Sequence, residues 1–89
     1  MAVLVTARVP DSSAEDRQQW RERNKVLPQQ PGFLFQGDGP REGGWLIVSA
    51  WESRADFERF FETHVRPYLP AGMADFPPEI QELESTLTR

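Results

Sequence analysis

Trp45-Leu46-Ile47-Val48-Ser49-Ala50-Trp51, followed at once by Glu52-Ser53-Arg54-Ala55-Asp56-Phe57, is the stretch on which the fold turns. Its first seven residues read as a strand, because β-branched and aromatic side chains make up most of it and no glycine or proline interrupts it. Trp45, Ile47, Ser49 and Trp51 alternate onto one face, and Leu46, Val48 and Ala50 onto the other. Both faces are apolar, as in a central strand covered on two sides. Ser53 then supplies a helix N-cap, and Asp56 places negative charge in the first turn, where the helix dipole favours it. Phe57, Phe60, Phe61, His64, Val65 and Tyr68 recur at i, i+3, i+4, i+7, i+8 and i+11, the stripe of an amphipathic helix ended by Pro67 and Pro70.

Outward from this junction, the upstream residues Gly32 to Gln36 read as a short strand. Gly37-Asp38-Gly39-Pro40 and Gly43-Gly44 read as the hairpin loop that joins it to Trp45. Near the start, Val3, Val5, Ala7 and Val9 alternate with Leu4, Thr6 and Arg8, a strand ended by Pro10. Asp11-Ser12-Ser13 offers N-cap chemistry, with Ser12 and Glu15 at capping-box spacing. A polar helix from Ser13 to Val26 follows, with a thin stripe of Ala14, Trp20 and Leu27, and Pro28 and Pro31 close it. Ala71 to Pro78 is a connection, and Gln81 to Thr88 is a last strand with Leu83, Ser85 and Leu87 on one face. The order β-α-β-β-α-β is the α+β, ferredoxin-like plan: an antiparallel sheet with two helices on one face. The other face carries Leu46, Val48 and Ala50, and a second copy in a two-fold dimer is the simplest cover for it.

The chain has 89 residues, room for one domain spanning 1–89. It contains no cysteine, which excludes disulfides, thiolate nucleophiles and Cys-based metal sites, and suits a cytoplasmic location. A single histidine gives no support to a metal site. The net charge of −4 disfavours nucleic acid as a partner. Arg17, Arg21, Arg23 and Lys25 are interleaved with Asp16 and Glu22 and read as a solvated helix face. The longest wholly apolar run is Trp45-Leu46-Ile47-Val48, far too short to span a bilayer, and no signal peptide is visible. Asp38, Gly39, Gly43 and Gly44 lack the spacing of a phosphate-binding loop and read as turn chemistry.

The junction Trp51-Glu52-Ser53-x-x-x-Phe57, the strand before it and the entry Pro31-Gly32-Phe33 resemble the antibiotic-biosynthesis-monooxygenase family of dimeric α+β barrels. The resemblance in element order covers nearly the whole chain. It implies a homodimer with an apolar ligand cavity between sheet and helices. It also implies an oxidoreductase: a cofactor-independent monooxygenase, with no bound cofactor, acting on an aromatic, polyketide-like substrate. The anthrone oxygenases of this family carry an Asn four residues before the junction Trp and a Tyr six residues after it; those positions are Ile47 and Phe57 here. The heme-degrading members use an Asn beside an Arg on strand one, where this chain has Ala7-Arg8. Their second Trp falls at Phe60, and their axial His falls near Pro70 and not at His64.

The candidate catalytic residues are His64, Trp51 and Tyr68, with Trp45, Ile47, Ser49, Phe57, Phe60 and Phe61 lining a pocket. Trp51 reads either as core filling or as a cavity wall that stacks on a planar ligand. His64, the only histidine, reads either as a half-buried packing residue or as a general base facing the cavity. Tyr68, one turn on, would share a polar corner with it. Ser49 has no nucleophile elbow around it and makes no triad with His64. Three functions stay open: a small enzyme on an aromatic substrate, a non-catalytic homodimeric module that binds an apolar small molecule or partner, and a purely structural remnant with a filled core and no cavity beside Trp51.

Overall fold

Four strands form one antiparallel sheet in the order β2-β3-β1-β4 in a computed structural model that describes residues 1–10, 13–68 and 77–87. The elements are β1 (Val3–Pro10), α1 (Ala14–Arg23), β2 (Phe33–Arg41), β3 (Gly44–Trp51), α2 (Arg54–Phe60) and β4 (Glu79–Glu82). The strand and helix order is the ferredoxin-like βαββαβ plan. The central pair is β1 and β3, with Val3 opposite Trp51, Val5 opposite Ser49 and Ala7 opposite Ile47. These residues share the helix-facing side, where Val3, Val5, Leu27, Trp51, Phe57 and Phe60 form the buried core. Phe33, Phe61, Val65 and Ile80 pack against its rim.

Several boundaries differ from the sequence reading. The first helix is capped by Ser13, whose Oγ accepts from the Asp16 N–H at 3.0 Å; Ser12 lies outside the described residues. No side chain of α1 is fully buried: Ala14 is exposed and Trp20 is half-buried. After Arg23 the chain tightens into a 3-10 helix, Asn24–Gln29, that includes Pro28. Pro28 has no N–H to continue the α-helical ladder. The tighter winding turns Leu27 into the core at 3% exposure.

The hairpin is longer than expected. Gly37, Asp38, Gly39 and Pro40 are part of β2, which pairs with β3 as far as Arg41 opposite Gly44. The loop is reduced to Glu42 and Gly43, and Gly43 supplies the positive φ (81°) of a two-residue turn. Glycine and proline are tolerated because β2 is an edge strand, which leaves one row of backbone groups unpaired. A register shift between Phe33 and Phe35 makes Leu34 the extra residue of a bulge.

Helix α2 also departs from its pattern. It is α-helical only to Phe60, continues as a π-helical turn, Phe61–Val65, and ends in a 3-10 turn, Arg66–Tyr68. A π turn holds one extra residue, which rotates all later side chains by about 100° around the axis. Tyr68, expected on the buried stripe, is consequently 58% exposed. The last strand is short, and Leu83 lies just beyond it with its N–H on the Ala2 carbonyl at 2.9 Å. Ser85 and Leu87 are exposed and outside any strand, while Pro70, 71–76 and Thr88 lie outside the described residues.

The Pro31-Gly32 entry is locked to the junction. The Glu52 N–H donates to the Gly32 carbonyl at 2.7 Å, and Gly32 has φ 80°. A Cβ on Gly32 would overlap the Asp56 carboxylate, whereas one on Gly39 would meet nothing within 4 Å. Gly32→Ala therefore combines left-handed strain with overlap and should cost about 2–4 kcal/mol. Thermal unfolding should show a Tm lowered by roughly 10–20 °C for Gly32→Ala. Gly39→Ala should cost less than about 1 kcal/mol.

Candidate functional site

The end of β3 and the start of α2 gather most of the candidate residues. Trp51 is fully buried. Its indole N–H donates to Ser49 Oγ at 3.1 Å, so the strand itself satisfies the one polar atom of the ring. Residues i and i+2 of a strand share a face, which is what brings the two side chains together. Ser49 is thus a partner of Trp51 and is itself 5% exposed.

Three aromatic rings enclose the indole. Phe33 meets it edge-on at 5.4 Å, Phe57 edge-on at 5.9 Å and Phe60 tilted at 5.2 Å. Phe61 adds a contact to Phe57 at 5.8 Å. Helix α2 delivers Phe57 and Phe60 because Ser53 fixes its first turn. Ser53 Oγ accepts from the Asp56 N–H at 3.2 Å and donates its hydroxyl to Asp56 Oδ2 at 2.9 Å. Trp51 is therefore a core residue in this arrangement.

His64 extends the aromatic series outward. It lies in the π-helical turn, half-buried, with its ring stacked on Phe60 at 5.4 Å and 27°. Its imidazole has no hydrogen-bond partner among the described residues. A π turn inside a helix often marks a functional site. Ile47 lies on the same sheet face, half-buried between Ala7 of β1 and Asp38 of β2. Among the described residues, the polar groups here include the half-buried imidazole, the paired Ser49 hydroxyl and the Ser53–Asp56 cap.

Two predicted site residues lie elsewhere. Tyr68 does not share a corner with His64; the Arg23 guanidinium covers its ring at 5.1 Å. Trp45 is six residues from Trp51 along β3, about 20 Å at strand rise, so it does not frame the same space. The Arg17 and Arg21 guanidiniums lie 4.6 Å and 5.7 Å from its ring centroid. Its indole N–H donates to Asp38 Oδ1 at 3.2 Å, and Arg21 donates to the same oxygen at 3.0 Å. The arginines of α1 are therefore not simply a solvated face. The readable signal was the i, i+4 spacing of Arg17 and Arg21, which puts both on one side of the helix.

No protein-family profile and no curated protein sequence matches the chain. Solved structures do. The heme-degrading protein Rv3592 from Mycobacterium tuberculosis superposes with a TM-score of 0.67 at 20% identity, covering 99% of this chain and 100% of that one. SnoaB, a cofactor-independent oxygenase from Streptomyces nogalater, superposes in a mutant form with a TM-score of 0.64 at 16% identity, covering 99% and 97%. A candidate antibiotic biosynthesis monooxygenase from Bacillus cereus gives 0.53 at 11%, covering 99% and 94%. The chain has the ferredoxin-like fold of these antibiotic-biosynthesis-monooxygenase-like proteins, with the Trp51-Glu52-Ser53 junction joining its central strand to its second helix.

Proposed function

We propose that the chain, as one domain spanning 1–89, is a small oxygenase that acts without a bound cofactor on an aromatic, polyketide-like substrate. The observation that carries this reading is His64: a half-buried imidazole without a hydrogen-bond partner among the described residues, stacked on the aromatic cluster in a π-helical turn. The cofactor-independent oxygenase SnoaB has this fold. In the proposed reaction His64 takes a proton from the activated CH2 of an anthrone-like phenol. The resulting electron-rich anion reacts directly with O2. The CH2 becomes C=O and the second oxygen atom leaves as water, so one O2 is consumed per product formed. The partly buried Phe61, packed on the rim of the core, offers apolar surface to the rings of such a substrate, while the buried Phe60 supports the His64 ring from inside.

Rv3592 degrades heme, but the residues of this chain fit that group poorly. Its only imidazole is stacked on Phe60, and its junction tryptophan is enclosed by three phenylalanines.

Oxygen-electrode measurements with anthrone-like phenols test the proposal. Uptake should match product one to one. His64→Ala should lower the rate by about 100-fold or more, the usual contribution of a positioned base. No uptake across the panel, or a rate unchanged in His64→Ala, would count against it.

A second copy of the chain is the proposed partner. The sheet face away from the helices carries Leu4, Phe35, Leu46, Val48 and Ala50, with Phe35 49% exposed, and Thr6, Gln81 and the Arg8–Glu79 ion pair lie beside them. An apolar patch with a polar border is the kind of surface that pairs. Light scattering should give twice the chain mass of 10.2 kDa, and Val48→Asp should give that mass once. A monomeric wild type at micromolar concentration would overturn the dimer. Cytoplasmic location is likewise proposed; among the described residues no helix is long and apolar enough to cross a membrane.

A further inference from the structure

The two helices are bound to the sheet in different ways. Helix α2 is held by the buried rings of Phe57 and Phe60, whereas no side chain of α1 is buried. Arg17, Trp20 and Arg21 stand at i, i+3 and i+4 and share one side of α1. That side meets the Trp45 end of β3: Arg21 pairs with Asp38 at 3.0 Å, and the Arg17 and Arg21 guanidiniums lie over the Trp45 ring. The Asp38 carboxylate also accepts from the Trp45 indole, and its side chain is only 17% exposed, so this ion pair is partly shielded from water and salt. The helix-facing side of the sheet changes character toward the same end. Val3, Val5, Ser49 and Trp51 are buried, but Ala7, Val9 and Ile47 are only half-buried. The winding also changes where α1 ends, at the step from Arg23 into the 3-10 turn Asn24–Gln29, and Leu27 in that turn is buried.

We infer that α1 is a hinged cover: it swings off the sheet as a unit about the Asn24–Gln29 turn, which Leu27 anchors, and the contacts among Arg21, Asp38 and Trp45 latch it closed. A helix that buries no side chain of its own belongs to the low-stability end of a structure, where local opening precedes global unfolding. A step from α to 3-10 winding is a common hinge. Opening bares Ala7, Val9 and Ile47, a strip of hydrocarbon that an apolar ligand can occupy in place of the α1 side chains. The latch sets how often the cover opens, because one carboxylate holds both Arg21 and the indole that Arg21 covers. Loss of its charge weakens the charge-assisted bonds to both. A ligand that binds only with the cover open gains affinity in proportion to the open fraction. The cover governs access to the sheet and is independent of oxygen chemistry at His64, so failure of either leaves the other standing.

Amide hydrogen exchange and the binding of Nile red, an uncharged flat apolar dye, test the cover together. In the native protein the α1 amides should share one opening equilibrium and exchange faster than the protected amides of β1 and β3. Asp38→Asn should speed exchange across α1 by about fivefold, leave β1 and β3 unchanged, and tighten Nile red by the same factor. Ile47→Thr, with the latch intact, should weaken the dye by about fivefold while α1 exchanges as before. Four results would each overturn the cover: α1 exchange unchanged in Asp38→Asn, acceleration of β1 and β3 by the same factor as α1, dye affinity unmoved in either variant, or no saturable dye binding.

Discussion

The enclosure of Trp51 is the constraint on which the rest of the structure depends. The ring has no exposed surface, and phenylalanines from the β2 entry and from α2 surround it. Removing a ring of this size from a core costs roughly 3–5 kcal/mol. A chain of this length has a total stability of about 4–13 kcal/mol, so this one residue accounts for a large share. The enclosure is possible only because the indole N–H is satisfied by Ser49 on the same strand. Without that bond, a buried donor would offset much of the gain.

The same packing sets the geometry of the candidate site. Ser53 and Asp56 start α2 at the point where β3 ends, and Gly32 accepts the Glu52 N–H beside them. The first turn of α2 is therefore held from both sides. Phe60 then passes the order of the core outward to His64, whose ring stacks on it. At the other end of β3, ionic contacts replace apolar ones: Asp38 anchors both Arg21 and the Trp45 indole. One strand thus carries a hydrocarbon-lined region at one end and an indole stacked by arginines at the other.

Much of this was legible in the residues. The alternation of Trp45 to Trp51, the Ser53 cap and the Phe57 and Phe60 stripe describe the central strand and the helix packed on it. Their signals are local and agree with one another. The hairpin was misread because Gly37, Gly39 and Pro40 look like loop residues, and only their position on a sheet edge lets them remain in a strand. Tyr68 was misplaced because an α-helical period cannot anticipate the π turn after Phe60. The likeness to the oxygenase fold was visible in the junction, but the separation of Trp45 from Trp51 required the strand length, and the clustering of Arg17 and Arg21 over Trp45 required the register of α1 over the sheet.

The central claim is that Trp51 is a closed structural centre, with any chemistry performed outside it at His64. Hydrogen–deuterium exchange of the tryptophan indole protons tests this most directly. The account predicts that the Trp51 indole exchanges as slowly as the most protected amides of β1 and β3, with the same dependence on denaturant, because only global unfolding exposes it. The indoles of Trp20 and Trp45 should exchange far faster. Exchange of the Trp51 indole at the rate of the other two would contradict the account and would make Trp51 the wall of an open cavity.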